Sequence, residues 1–248
     1  MEQLLILSRR DYDAVIFDLD GVITDTAVTH RRAWKEVFDE LLHHRCGTGF
    51  DPFTDEDYQR FVDGKPRLDG IQSFLSSRNI EFDSGSEDAD PGFDSIAALG
   101  AEKNRRYRKR LAHGEIDVIG DSLQLVKELH TANFLLGLVS SSRNAKLVLH
   151  LLEIGEWFGV RIDGVTLAEE GLRGKPAPDM FLEAARRLGT RAERAVVVED
   201  AESGVEAGRA GGFGLVIGLA ADAERRRALM QAGADVAVES LSAFDVSG

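Results

Sequence analysis

The stretch DAVIFDLDGVITDTAVTHRRAW (residues 13–34) runs an apolar segment, Ala14 to Phe17, straight into Asp18, Leu19, Asp20 and Gly21. Apolar at every position, it reads as a strand buried on both faces, as in a parallel sheet, rather than as a half-exposed strand with alternating character. Alternate residues of a strand share a face, so Asp18 and Asp20 can point into one crevice where the strand ends. Two carboxylates that close repel and shift each other's pKa unless a cation neutralises them. Magnesium is the natural cation for oxygen ligands, since it retains waters and binds substrate phosphate.

A second acidic pair repeats the pattern. The run 195–198 ends in Glu199-Asp200, and in a parallel sheet that end lies on the same edge as Asp18. Further apolar runs at 134–139 and 213–217, and a weaker one at 235–238, complete a set of short strands. Helical patterns at 122–130, 144–152, 179–188, 203–210 and 223–231 alternate with them, with Pro176 and Pro178 at the entry of one. Strands alternating with helices predict an α/β fold, a doubly wound and mostly parallel Rossmann-like sheet.

Residues 27–114 break this rhythm. Helical patterns at 28–42, 55–61, 68–77 and 97–111 follow one another there without a convincing strand. The expected organisation is therefore an α/β core of residues 1–26 and 115–248, with a helical cap domain, 27–114, inserted after the first strand. Within the insert, 81–102 holds seven acidic residues and no Lys or Arg, and 84–92 reads as an exposed loop. The basic run 103–110 then reads as a solvated helix face paired with that loop.

Composition narrows the partners. The chain has 248 residues, 43% of them hydrophobic, enough to bury a substantial core. Its formal charge of −13 disfavours general affinity for nucleic acid or anionic membrane, while local Lys and Arg can still bind a small phosphorylated substrate. One cysteine, Cys46, excludes an internal disulfide and fits a reducing compartment. No apolar run approaches the roughly 20 residues of a spanning helix, and the first residues lack the basic region of a secretory signal. The expectation is a soluble, cytoplasmic protein.

Two further elements lie at the ends of strands. After Val139 comes Ser140-Ser141-Ser142-Arg143-Asn144, a hydroxyl-rich loop opening a helix, suited to holding a phosphoryl group through side-chain and helix-terminal donors. Gly174-Lys175-Pro176 presents an ammonium before another helix, able to neutralise phosphoryl oxygens and an attacking carboxylate.

Together these residues resemble the haloacid dehalogenase (HAD) superfamily of phosphotransferases. All four of its motifs stand in order: DLDGV at 18–22, Ser140, Lys175 within GKPAPD, and Glu199-Asp200. The insert falls where that family carries a small helical cap. The resemblance implies Asp18 as the nucleophile forming an aspartyl-phosphate, Asp20 as general acid and base, and Ser140 and Lys175 as binders of the transferring phosphoryl group. It implies Mg2+ held by Asp18, the Asp20 carbonyl, Glu199 and Asp200.

Residues 18–34 are most similar to the β-phosphoglucomutase-like subfamily, in which the position of His30 supports closure and the acid/base role of Asp20. In the same resemblance Arg67 grips the distal phosphate and Lys103-Asn104 lie near the sugar phosphate. Ser142, Arg143 and Asn144 flank the second motif on the substrate side. Asp63, Lys65, Pro66 and Ala201 depart from the subfamily pattern, which bears on the identity of the sugar more than on the chemistry.

The implied activity is interconversion of β-glucose 1-phosphate and glucose 6-phosphate by a monomer, with glucose 1,6-bisphosphate as activator. Its competitor is a sugar-phosphate phosphatase using the same core. A binding module without catalysis would not need the complete set Asp18, Asp20, Ser140, Lys175, Glu199 and Asp200.

Overall fold

A strand buried at every position, Ala14–Asp18 (β2), follows a short first strand, Leu5–Ser8 (β1). A computed structural model of the chain describes residues 5–63, 65–86 and 88–247, with the backbone alone at 26 and 27. β2 is joined by Leu135–Val139 (β3), Val160–Ile162 (β4), Ala195–Glu199 (β5), Leu215–Leu219 (β6) and Val236–Val238 (β7). The sheet order is β4-β3-β2-β5-β6-β7, and every neighbouring pair is parallel. A last strand, Phe244–Ser247 (β8), pairs in parallel with β1 as a separate two-stranded sheet.

Strand order reverses between β2 and β5. Crossovers leave that point toward opposite faces, and open α/β sheets form their ligand crevice there, beyond the carboxyl ends of the strands. The register aligns those ends: Asp18 lies beside Val139, and Phe17 lies beside Val198, one step before Glu199. Both acidic pairs and the serine loop thus leave the same edge of the sheet.

The chain divides into two units, Met1–Asp25 with Asp117–Gly248, and Thr26–Ile116. In the second unit, Thr26–Cys46 (α1) is followed by Asp55–Asp57 (α2), which runs into a π-helical turn, Tyr58–Val62. Arg67–Ser77 (α3) and Ile96–Ala112 (α4) complete it. Its described residues contain no strand. Trp34, Val37, Phe38, Leu41 and Leu42 recur at helical spacing on α1 and bury one face. At the centre, the Phe38 ring lies 4.2 Å from Phe74, 5.0 Å from Phe53 and 5.1 Å from Trp34 between centroids. Ser95 caps α4 by accepting the Ala98 N–H at 3.1 Å.

The basic run on α4 departs from its expected partnership. Arg105 and Arg106 hold Glu102, Arg106 also reaches Glu40, and Arg110 bridges Glu36 and Glu115. No ion pair joins this run to the described acidic residues of 81–94. The partners are instead acids on α1, on α4 itself and just beyond its end. Lys103, far from solvated, is buried.

In the first unit, Gly120–Thr131 (α5), Ala145–Leu151 (α6), Gly164–Glu170 (α7), Asp179–Leu188 (α8), Glu202–Ala210 (α9) and Ala223–Ala232 (α10) connect the strands. α8 buries Met180, Phe181, Ala184 and Ala185, one helical stripe, in the core that also holds Ile16, Val139 and Val197. β6 begins two residues later than its apolar run suggests. Gly214 spends its N–H on Ala192 and Ala195 carbonyls, so Phe213 fills the core from outside the strand. Among the described residues no helix is long and apolar enough to cross a membrane.

Removing the central ring of the helical unit should be costly. Phe38→Ala should destabilise that unit by about 3–5 kcal/mol, the range for deleting an enclosed aromatic. Denaturant unfolding with hydrogen exchange on α1 and α4 reads it; a loss under about 1 kcal/mol would contradict this packing.

Candidate active site

The DLDG turn is built by the backbone. The Leu19 carbonyl accepts the N–H groups of Ile23 and Thr24 and the hydroxyl of the buried Thr24, while the Gly21 N–H bonds the Thr24 carbonyl at 2.7 Å. Gly21 has φ +98°, a left-handed conformation, and any side chain there would run into the Asp200 carboxylate. That glycine brings the second acidic pair against the first. Gly204, in the first turn of α9, does the same for Glu199, whose carboxylate occupies the space a side chain would need.

Lys175 is the hub. Its Nζ donates to Asp18 Oδ1 at 2.5 Å and to Glu199 Oε1, with the Phe181 ring 5.2 Å away. All three charged groups are buried. Burial works to lower the Lys175 pKa, but the charges and hydrogen bonds of Asp18 and Glu199 more than reverse it and keep the ammonium protonated. Burial pushes the Asp18 pKa up from the usual carboxylate range; Lys175 opposes the rise, and Glu199 and Asp20 add to it. The carboxylates outnumber the ammonium. Glu199 Oε2 accepts the N–H groups of Asp200 and Ala201 at 3.0 and 3.1 Å, so each of its oxygens takes part in a hydrogen bond.

The serine loop comes to the same edge. Ser140 Oγ donates to Asp20 Oδ2 at 3.4 Å and accepts the Ser142 N–H at 3.1 Å. Ser142 Oγ in turn accepts the Asn144 N–H at 3.2 Å. Asn144 is buried and Arg143 exposed. β4 backs the loop: the Ile162 carbonyl takes the Ser140 N–H, and the Gly164 N–H bonds the Ser142 carbonyl.

Asp18, Asp20, Glu199 and Asp200 therefore set four carboxylates against one ammonium, the donor chemistry of a hard divalent cation. Among the described residues no three His, Cys, Asp or Glu side chains form a finished metal cage. Magnesium does not require one, because it keeps several waters and takes substrate oxygens. The residues fit that ion.

The residues expected on the sugar side assemble within the helical unit. His30 Nδ1 lies 2.6 Å from Lys103 Nζ, and the His30 ring packs 4.0 Å from that of Tyr107. The ammonium also faces the Trp34 and Tyr107 rings at 4.9 and 4.7 Å. Lysine only donates, so His30 Nδ1 accepts and the imidazole is neutral. Burial, then the charges of Lys103 and Arg67, hold its pKa well below the usual histidine value. Arg67 donates to the Gly100 carbonyl at 3.3 Å and to Asn104 Oδ1 at 3.2 Å. His30, Arg67 and the pair Lys103-Asn104, from three places in the sequence, form one cluster carrying two cations.

Sequence reasoning passed over Gly21, Gly204 and Phe181. For Gly21 a signal existed, a glycine directly after two acids at a strand end. For Phe181 there was none beyond its place on the α8 stripe.

An open parallel sheet whose switch point carries a buried Lys–Asp–Glu hub and a hydroxyl loop defines an enzyme of phosphoryl transfer, a phosphotransferase or a phosphatase. The chain belongs to the haloacid dehalogenase-like hydrolase family, whose profile it matches over residues 12–212. It is 45% identical over 236 residues to a beta-phosphoglucomutase of Mycobacterium bovis, covering 92% of this chain and 90% of that protein. It is 32% identical to a fructose-1-phosphate phosphatase of Escherichia coli, covering 83% of this chain and 95% of that one. The crystal structure of beta-phosphoglucomutase from Clostridium difficile superposes with a TM-score of 0.74 at 27% identity, covering 93% of this chain and 92% of that one.

The neutral His30 makes stability pH-dependent. With its folded pKa depressed, the unfolded chain binds the extra proton below about pH 6.5, so stability is complete above that value and falls with acidification. Unfolding of the helical unit, followed from about pH 7.5 to about 5.5, should show a slope that His30→Gln flattens. An equal slope in the variant would mean that His30 is not the group titrating.

Proposed function

We propose that this protein is a magnesium-dependent phosphotransferase acting on sugar phosphates through an aspartyl-phosphate on Asp18, and that its reaction converts β-glucose 1-phosphate to glucose 6-phosphate. The observation that carries the reading is the Lys175 ammonium held between Asp18 and Glu199, with Ser140 on Asp20 beside it. The likeness to a beta-phosphoglucomutase over nearly the whole chain supports the choice of sugar.

Asp18 Oδ1 is committed to Lys175, so Oδ2 is the oxygen that attacks phosphorus, forming the new O–P bond as the bond to the sugar oxygen breaks. The leaving oxygen takes the electron pair and a proton from Asp20. In the second half Asp20 removes the proton from an acceptor hydroxyl, which attacks the aspartyl-phosphate and frees Asp18. Ser140 donates to Asp20 in the free enzyme and turns its hydroxyl to the transferring phosphoryl group once that is bound, while the third N–H of Lys175 meets a phosphoryl oxygen. Magnesium, held by Asp18, the Asp20 carbonyl, Glu199 and Asp200, would neutralise charge on the transferring phosphoryl group.

Mutase chemistry needs the non-reacting phosphate held while its twin reacts. The helical unit, read as a cap, supplies Arg67 and Lys103 for that purpose, with Asn104 aligning Arg67 and His30 fixing Lys103. A guanidinium suits a dianionic phosphate bidentately. Ser142, Arg143 and Asn144 would line the substrate side of the core. The likeness to a fructose-1-phosphate phosphatase supports the second reading, in which water accepts the phosphoryl group.

The two are separated by incubating the enzyme with Mg2+ and β-glucose 1-phosphate, with and without catalytic glucose 1,6-bisphosphate. Glucose 6-phosphate should accumulate, faster with the bisphosphate; release of free phosphate in its place would establish the phosphatase. Asp18→Asn should abolish both outputs, and retained turnover would remove Asp18 as nucleophile. Arg67→Ala should raise KM about tenfold with a smaller change in kcat, the signature of lost phosphate binding.

A further inference from the structure

Helix α10 opens with Ala223 and Glu224 and then carries three consecutive arginines, Arg225, Arg226 and Arg227, although cations are disfavoured near the positive end of a helix. Asp222 caps the helix by accepting the N–H groups of Glu224 and Arg225, each at 2.9 Å. Arg226 turns back to the Ala220 and Ala221 carbonyls at 2.8 and 2.6 Å. Arg225 instead reaches the second acidic pair. Its guanidinium donates to the Asp200 main-chain carbonyl at 3.2 Å and stands 3.8 Å from Asp200 Oδ2. The Asp200 carboxylate also rests against Gly21, where no side chain fits.

We infer that Arg225 is a positioning residue for Asp200: it fixes the main chain behind that carboxylate and its rotamer in front of Gly21, and so sets the affinity of the site for a divalent cation. The inference rests on the reading that Asp200 is a metal ligand. Two opposite effects of Arg225 are conceivable, alignment of Asp200 and electrostatic competition with the cation. The guanidinium is half exposed, so its charge is screened by water. Its hydrogen bond to the carbonyl, by contrast, fixes geometry whatever the salt, and alignment prevails. Groups that orient a metal-binding carboxylate typically change metal affinity by about 10–100-fold when removed.

The test is Mn2+ binding to the intact protein, followed by electron paramagnetic resonance, for wild type, Arg225→Ala and Arg225→Lys. Thermal unfolding without metal and the Mg2+ dependence of turnover are measured alongside. Arg225→Ala should raise the Mn2+ Kd about tenfold or more and shift Mg2+ activation to match, while kcat at saturating Mg2+ stays within about twofold. Arg225→Lys, which can still donate to the carbonyl, should recover most of the affinity. An unchanged or tighter Kd in Arg225→Ala overturns the inference, as does a lysine variant as weak as the alanine one. A lowered melting temperature with unchanged Mn2+ binding reduces Arg225 to a structural role and overturns it too. If wild type itself fails to bind Mn2+, the magnesium reading falls, and that result is distinct from a variant that binds like wild type.

Discussion

The rest of the first unit is arranged around one buried ammonium. Lys175 sits between Asp18 and Glu199 with almost no exposure to water, and each of those acids ends a central strand. Taking an ammonium and two carboxylates out of water costs several kcal/mol per ion unless their pairing is close and their remaining oxygens are satisfied. Close pairing demands that three separate chain segments end at the same point. The parallel register of β2 and β5 delivers the acids, and α8 buries Phe181 beneath the lysine. Net negative charge remains even so, and it is the charge that the proposed cation would offset.

The same requirement explains why the acids stand at the reversal of strand order. Only there do two adjacent strands send their crossovers to opposite faces, opening a crevice that neither helix layer fills. Small residues then decide how close the carboxylates come. Gly21 and Gly204 contribute nothing to the core by burial; their work is to be absent where Asp200 and Glu199 must lie.

Much of this was legible in the chain because the central strands and the acidic ends of two of them carry local signals. Ala14 to Phe17 and Ala195 to Val198 are apolar throughout, and acids follow each. Edge elements carry weaker ones. β4 is three residues with Arg161 in the middle, and β1 is defined by its pairing with β8, Leu5 with Phe244, which no local pattern encodes. The helix α7, opened by the Asp163 cap, was hidden for a similar reason, being short and only marginally buried. In the helical unit the position of Lys103 was misleading. It heads a run of cations that looks solvated, yet His30, Trp34 and Tyr107 enclose it, and His30 stands 73 positions away. Arg225 gave no signal at all, since its partner comes from another crossover.

The inward pairing of α4 has a kinetic consequence. Arg105, Arg106 and Arg110 pair with glutamates within the helical unit, so half of the cations in the most basic segment of the chain are offset locally. With a net charge of −13, the protein repels an anion such as a phosphate ester at long range, and only local clusters such as that of Arg67 and Lys103 favour one. The Debye length is about 10 Å at 0.1 M salt, so ordinary ionic strength screens the repulsion more than the short-range grip. Encounter is thereby helped by salt rather than hindered, the reverse of an enzyme that steers its anion from afar.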